Sequence, residues 1–359
     1  MEYALVHAFP PPFIFPTMNT RFALHCLLFF WIVPGLVAAA EPGPVPGWPG
    51  EVREEWFRSR ADGTMQPTLF YRPSGEEPAP LLVALHTWKG THLQADPGYA
   101  AWCIRKGWVL VHPHFRGPNN TPEACGSERV VEDILSVVDW ARERAKVDPR
   151  RIYLVGCSGG GYASMLLAGR APQLWAGVSQ WCGIYDLGQW HAERSADGYG
   201  RMLEAVCGGA PGDSPAVDEQ YRRRSASTWF QAAAGIPMDL NTGIFDGHKA
   251  SVPVSHSLRA FNTLARPVDR FSEEQVRELT ATPAVPQGLR FDGEDPLYGN
   301  LKVLLRRVSG QARITVFEGG HQSIVEAGLA WLEQQVKGQP AVWKIEGAAS
   351  RSGAAEVGK

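Results

Sequence analysis

Arg151 to Pro172 reads RIYLVGCSGGGYASMLLAGRAP, and the fold turns on how this stretch is read. Ile152, Tyr153, Leu154 and Val155 form a short apolar run of β-branched and aromatic residues bounded by turn formers, the pattern of a parallel strand buried on both faces. A helical segment comes directly after it. Between the two lies Gly156-Cys157-Ser158-Gly159-Gly160, a G-x-S-x-G match in strand–turn–helix context. A nucleophilic serine on such a turn is held at strained backbone angles, and only small neighbours let strand and helix approach so closely. The N–H of Gly159, opening the helix, is placed to donate to an oxyanion, and the helix N-terminus adds positive potential there. A structural serine in a glycine-rich helix start would also explain the motif. The strand before it and the helix after it favour the nucleophile.

Upstream of this unit, Glu54 to Arg60 and Gln66 to Tyr71 read as a hairpin around Ala61-Asp62-Gly63-Thr64, and Leu81 to Leu85 as a buried strand. The loop leaving that strand, His86-Thr87-Trp88, is expected to face the site, so an N–H near Thr87 or Trp88 is the candidate second oxyanion donor. Tyr99 to Lys106 is a predicted helix and Trp108 to Val111 a predicted strand. Val131, Ile134, Leu135 and Val138 recur at helical spacing behind Ser127 as cap. Strand and helix alternate from Leu81 to Arg170, which predicts an α/β fold with a doubly wound, mostly parallel sheet.

Downstream, Trp175 to Trp181 reads as the next strand. From 183 to 235 the pattern loosens into short helices and loops carrying Tyr185, Trp190, Tyr199, Tyr221, Trp229 and Phe230. This is the expected cap-like insertion, whose aromatics either select substrate or pack its own core. Pro237 to Phe245 is strand-like and ends at Asp246; Val252 to Leu264 reads as a helix. Ser272 and Gln275 make a capping box, Pro296 to Val308 reads as a further helix, Arg313 to Phe317 as the last strand, and Ser323 to Gln335 as the closing helix.

A serine needs a base, and the base needs an acid to fix its tautomer. His321 lies on a glycine loop after the final strand, where the chain order serine, acid, histidine places the base. Asp246, ending a strand before a helix, is the favoured acid, with Asp292, Asp295 and Asp186 as rivals. His86, His112, His114, His248 and His256 are expected to be structural or pocket-lining.

With these residues in place, the sequence resembles the catalytic domain of the prolyl oligopeptidase family and its esterase relatives in the α/β-hydrolase superfamily. The resemblance runs from about Leu81 to Gln335. It rests on GCSGGG around Ser158, on Phe115-Arg116-Gly117, on Asp246 with Ser251-Val252-Pro253 after it, and on FEGGH ending at His321. It implies an α/β-hydrolase fold that cleaves esters or peptide bonds without a cofactor. Three departures stand out. His86-Thr87-Trp88 replaces the usual glycine-rich oxyanion segment. The long separation of Asp246 from His321 points to a second insertion over 266–310. Between Glu41 and Leu81 there is too little chain for a β-propeller, which favours an esterase over a size-selective oligopeptidase.

The composition excludes other classes. The net charge is −2, and no basic run interleaves with aromatics, so no nucleic-acid partner is expected. There is no H-E-x-x-H and no paired C-x-x-C, so no metal constellation is expected either. Met18 to Ala40 has an early arginine, an apolar core and a small-residue end, the features of a secretory signal peptide; the core is shorter than the about 20 residues of a membrane span. Translation is expected to start at Met18, since 1–17 holds four prolines and no lysine or arginine. The mature hydrolase domain would then run from 41 to 343, with no stable membrane insertion, in a secreted or periplasmic compartment; the tail 344–359 lacks apolar periodicity. Of six cysteines, Cys26 leaves with the signal and Cys157 sits in the turn. Cys103, Cys125, Cys182 and Cys207 allow three fully paired connectivities, or remain buried thiols.

The reading favoured is a secreted serine esterase acting on small-molecule or carbohydrate esters, the thirteen tryptophans suiting sugar rings. An exopeptidase on short peptides is the first alternative; it needs a site for a charged terminus, for which Arg116 or Glu318 are the candidates. A hydrolase fold used as a binding module is the second.

Overall fold

The computed structural model describes residues 44–249 and 251–344. The signal sequence, the start at Met18 and nearly all of the tail lie outside them. Nine strands form one sheet in the order β1-β2-β4-β3-β5-β6-β7-β9-β8. Strands β1 (Arg53–Arg58) and β2 (Met65–Tyr71) are the expected hairpin, and β2 runs antiparallel to β4 (Val109–Pro113). From β4 through β3 (Ala79–Leu85), β5 (Val147–Cys157), β6 (Gly177–Trp181), β7 (Met238–Gly243) and β9 (Ala312–Phe317) every pairing is parallel.

Strand alternation builds two cores. Leu81, Val83, Ile152 and Leu154 point into one, with helices α2 (Glu128–Arg144), α3 (Gly159–Arg170) and α7 (Ser255–Leu264). Leu82, Ala84, Tyr153 and Val155 point into the other, with α1 (Pro97–Lys106) and α9 (Val325–Leu332). Because successive side chains face opposite ways, a strand covered on both faces must be apolar throughout, as the sequence between Ile152 and Val155 is. The chain crosses from β3 to β4 on one side and returns to β5 on the other. The C-terminal ends of β3 and β5 therefore adjoin where the winding reverses, the place where an open α/β sheet leaves a crevice.

The stretch 183–235 forms α4 (Leu187–Arg194), α5 (Gly198–Cys207), α6 (Pro215–Arg224) and two 3-10 turns. Its aromatics serve as core: Tyr185, Trp190, Tyr221 and Phe230 are all buried. The capping box at Ser272 and Gln275 forms as expected and opens α8 (Glu273–Ala281).

Pro296 to Val308 is not a helix. Only Pro296–Tyr298 is helical, as a single 3-10 turn, and Val303–Ser309 is strand β8, antiparallel to β9. Gly299, at φ 60°, ends the turn, and Gly310, at φ 56°, begins a two-residue hairpin link from Ser309 to Ala312. The apolar spacing fits both periods, and the glycines decide between them. Val303–Ser309, within the stretch 266–310 expected as a second insertion, thus belongs to the sheet.

All five described cysteines are free thiols, so no disulfide joins Cys103, Cys125, Cys182 and Cys207. Among the described residues, no helix is long and apolar enough to cross a membrane.

Candidate active site

Ser158 comes directly after the last residue of β5 with φ 58° and ψ −120°, a backbone conformation that costs a non-glycine residue about 1–3 kcal/mol. Two contacts hold it there. Its N–H donates to the carbonyl of Trp181 at the end of β6 (2.8 Å), and its own carbonyl accepts from Tyr162 N in the first turn of α3 (2.9 Å). The glycines supply the clearance. A Cβ on Gly159 would strike the backbone N and Cα of Trp88, and one on Gly156 would strike the backbone of Gly160.

The same close approach brings the loop after β3 against the start of α3. Thr87 N–H is engaged by Gln94 Oε1 (3.1 Å), which also accepts from the Thr87 hydroxyl (2.7 Å). That leaves Trp88 N, beside Gly159, as the donor of this loop. The Trp88 ring is fixed by Trp190 (4.7 Å between centroids), Tyr162 (5.9 Å) and Tyr199 (6.5 Å). Trp190 in turn donates from Nε1 to the carbonyl of Ser251 (2.9 Å), which ties α4 to the loop after Asp246.

Asp246 and His321 are brought together across the ends of β7 and β9. Asp246 Oδ2 and His321 Nδ1 lie 2.7 Å apart, and the carboxylate is fully buried. Its other oxygen accepts from Gly247 N (3.0 Å) and Val252 N (3.1 Å), so the Val-Pro downstream of the acid supplies part of its cradle. A Cβ on Gly243 would collide with the carbonyls of Gly319 and Gly320, so closely does the end of β7 abut the histidine loop. The rival acids are engaged elsewhere. Asp295 caps Leu297 N (3.1 Å) and pairs with Arg306 (2.8 Å), while Asp186 caps Gln189 N (2.9 Å) and accepts from Ser227 (2.6 Å). Asp292 is exposed.

Cys182 is a neighbour that the sequence does not single out. It stands just past β6 with φ 49°, and its Sγ lies 3.7 Å from the Gly320 carbonyl and 3.6 Å from that of Gln322, on either side of His321. One donor atom from each of Cys182, Asp246 and His321 lies within 4.8 Å of the others. Contact with the Cys157 thiol and burial push Cys182 well above the ordinary thiol pKa, so the sulfur is a neutral thiol at pH 7. Burial disfavours the charged form of His321, but its hydrogen bond to Asp246 and the adjoining Cys182 outweigh that and hold its pKa above the ordinary 6.5. A doublet such as WC after a strand carries no pattern that would mark this thiol in a sequence.

The remaining histidines are mostly structural. His86, His112 and His256 are buried; His86 stacks on Phe115, and His256 accepts from Tyr185 N (3.0 Å) and pairs with Glu193 (3.0 Å). His92 and His114 meet through their Nδ1 atoms at 3.1 Å. Arg116 binds Asp133 (2.6 Å) and Asp62 (2.7 Å), joining the opening hairpin to α2. Its charge is therefore already matched. Glu318 is exposed just past the C-terminal end of β9.

A strained serine between a parallel strand and a helix, on a sheet wound in this order, is the architecture of the α/β-hydrolase fold. A profile of the prolyl oligopeptidase family matches residues 98–277, half of the sequence and including Ser158 and Asp246. The chain belongs to that family. Among curated proteins, an acetylxylan esterase of Coprinopsis cinerea is 25% identical over 125 residues, 32% of this chain and 33% of that protein. Among solved structures, the acylaminoacyl peptidase of Pyrococcus horikoshii superposes with a TM-score of 0.53 at 17% identity, over 83% of this chain and 43% of that one. A puromycin-hydrolyzing peptidase of Mycobacterium tuberculosis does so with a TM-score of 0.51 at 16% identity, over 80% and 39%. The chain thus spans a third of the esterase and less than half of each peptidase, and the likeness to the two structures is one of fold.

Proposed function

We propose that this serine hydrolase cleaves carboxylic esters, with Ser158 as nucleophile, His321 as general base and Asp246 as the acid that orients it. The observation that carries the reading is the 2.7 Å contact between Asp246 Oδ2 and His321 Nδ1. It fixes the imidazole tautomer so that Nε2 is the basic atom. His321 takes the hydroxyl proton, Ser158 attacks the ester carbonyl, and the N–H groups of Gly159 and Trp88 hold the oxyanion. Each such donor contributes about 3–4 kcal/mol to the transition state. His321 then protonates the leaving alcohol, and water, activated by the same base, releases the acid from the acyl-enzyme.

An ester of an acylated carbohydrate is the narrower reading. The acetylxylan esterase relative supports it. The tryptophan count does not, because Trp102, Trp108, Trp140, Trp175, Trp181 and Trp331 are all core. Cleavage of short peptides is the second reading, favoured by the fold shared with two peptidases; the matched charge of Arg116 removes one of its candidate terminus sites. Export by the segment Met18 to Ala40 belongs to the same proposal and predicts a mature N-terminus at Glu41.

The deciding experiment compares p-nitrophenyl acetate with an aminoacyl p-nitroanilide, with Ser158→Ala as control. Ester turnover lost in the control is expected, and amide turnover of equal rate would establish the peptidase instead. The absence of Ser158-dependent turnover on either, and on acetylated xylan, would leave a binding module.

A further inference from the structure

We propose that Cys182, Asp246 and His321 form a binding site for a thiophilic divalent cation, with Zn²⁺ the natural fit, and that its occupancy shuts the catalytic centre. Hydrolysis by Ser158, His321 and Asp246 has no use for a thiol, yet Cys182 places one beside the imidazole. The three residues offer sulfur, nitrogen and oxygen donors within 4.8 Å of one another, and Cys182 and Asp246 are buried. A tetrahedral Zn²⁺ takes sulfur at about 2.3 Å and nitrogen or oxygen at about 2.0–2.2 Å, so its donors stand about 3–4 Å apart. Asp246 Oδ2 and His321 Nδ1, now 2.7 Å apart, must part slightly and the Cys182 sulfur draw in to reach that geometry.

The donor set is selective. A thiolate with an imidazole and a carboxylate disfavours Mg²⁺ and Ca²⁺, which take oxygen, and suits Zn²⁺ and Co²⁺. On binding, the Cys182 thiol loses its proton to solvent, and the proton that His321 shares with Asp246 shifts from Nδ1 to Nε2, freeing Nδ1 for the metal. Three protein ligands leave the fourth position to water. Once His321 is a ligand and separated from its acid, it no longer serves Ser158 as base. The inhibitory half of the proposal rests on the catalytic roles of Ser158 and His321, whereas the binding half does not.

The test uses Co²⁺ alone as probe, on wild-type protein and on Ser158→Ala, which removes no ligand. Both are expected to bind one equivalent with a near-ultraviolet thiolate-to-cobalt charge-transfer band that Zn²⁺ abolishes. His92 and His114 could bind the cation through nitrogen only and would give no such band. Cys182→Ser and Cys182→Ala, each checked for native circular dichroism, are expected to lose the band, and His321→Ala to bind at least tenfold more weakly. No band in the wild type, or a band that survives in both Cys182 variants, would overturn the site. Micromolar Zn²⁺ is expected to suppress ester turnover, and EDTA to restore it. Binding without suppression would overturn the claim that the cation closes the centre. Failure of the metal-free enzyme to turn over any ester would instead strike the catalytic reading, leaving the cobalt spectra to decide the site.

Discussion

The N–H of Ser158 donates to the carbonyl of Trp181 across 2.8 Å, and the residue after Trp181 places its sulfur between the carbonyls that flank His321. The end of β6 therefore holds the serine turn on one side and the histidine loop on the other. Residues 158 and 321 lie far apart in the chain, but both meet the end of β6, which lies next to β5 and two strands from β9. Substitutions at the acid, at the serine turn and at the charged groups around them test that arrangement.

Asp246→Asn should lower kcat by about 10³–10⁴-fold with the fold retained, because an amide favours the wrong imidazole tautomer. Asp295→Asn breaks an ion pair with Arg306 and removes no bond to His321, and should leave kcat/KM within about twofold. Steady-state kinetics of the two variants, with circular dichroism as the folding control, decide between the acids. The reverse pattern would move the acid to Asp295.

Gly159→Ala should abolish turnover and destabilise the protein. The added Cβ meets the backbone of Trp88 rather than a movable side chain, so strain at or above the upper end of the about 1–3 kcal/mol seen for overpacking is expected. Denaturant unfolding together with ester turnover checks this. A variant of unchanged stability and activity would show that the loop after β3 is not held against the serine turn.

Ester turnover should rise with pH through a value above 6.5. His321 must be neutral to act as base, and its contact with Asp246 favours the protonated form. The same raised pKa makes its contribution to stability complete below the unfolded value of 6.5 and lost as pH rises through the folded value. A pH–rate profile of kcat/KM flat from pH 5 to 9 would contradict this.

Acid should unfold the protein early. Burial lowers the pKa of His86 to about 4 and of His112 to about 3, in each case opposed by backbone hydrogen bonds. Between those values and 6.5 the unfolded chain binds protons that the folded one refuses, so stability falls as pH drops through that window. Thermal unfolding at pH 7, 6, 5 and 4 should show a steadily falling Tm, with a shallower slope in His86→Phe if that variant folds.

Arg116→Ala should cost about 3–5 kcal/mol, because it strands the fully buried carboxylate of Asp133. If Arg116 instead bound a substrate terminus, the variant would keep its stability and lose peptide turnover. Urea denaturation and peptide kinetics separate the two.

The sequence is most informative where two local signals agree. At Ser158 the motif, the apolar strand before it and the helix after it all require one geometry, and the Val-Pro after Asp246 points to the acid that meets His321. It is least informative where only period is available. Pro296 to Val308 reads as helix because a short apolar run fits either repeat, and Gly299 and Gly310 acquire meaning only once their positive φ is known. Thr87 and Trp88 are inseparable in the sequence, since the difference is a side-chain amide seven residues on, Gln94, that engages one N–H and not the other. Cys182 is invisible there for a similar reason: its neighbours come from strands distant in the chain.

The short strand β6 is the common datum of the catalytic centre. It lies in the middle of the sheet, hydrogen-bonded to β5 on one side and β7 on the other. The serine turn takes its position from the last residue of the strand, while the histidine loop meets the cysteine just beyond it as well as the end of β7. A displacement of β6 would be felt at both places, through the Trp181 carbonyl at Ser158 and through the Cys182 sulfur beside His321. The relative placement of Ser158 and His321 thus depends on a shared mount as well as on the two loops that carry them.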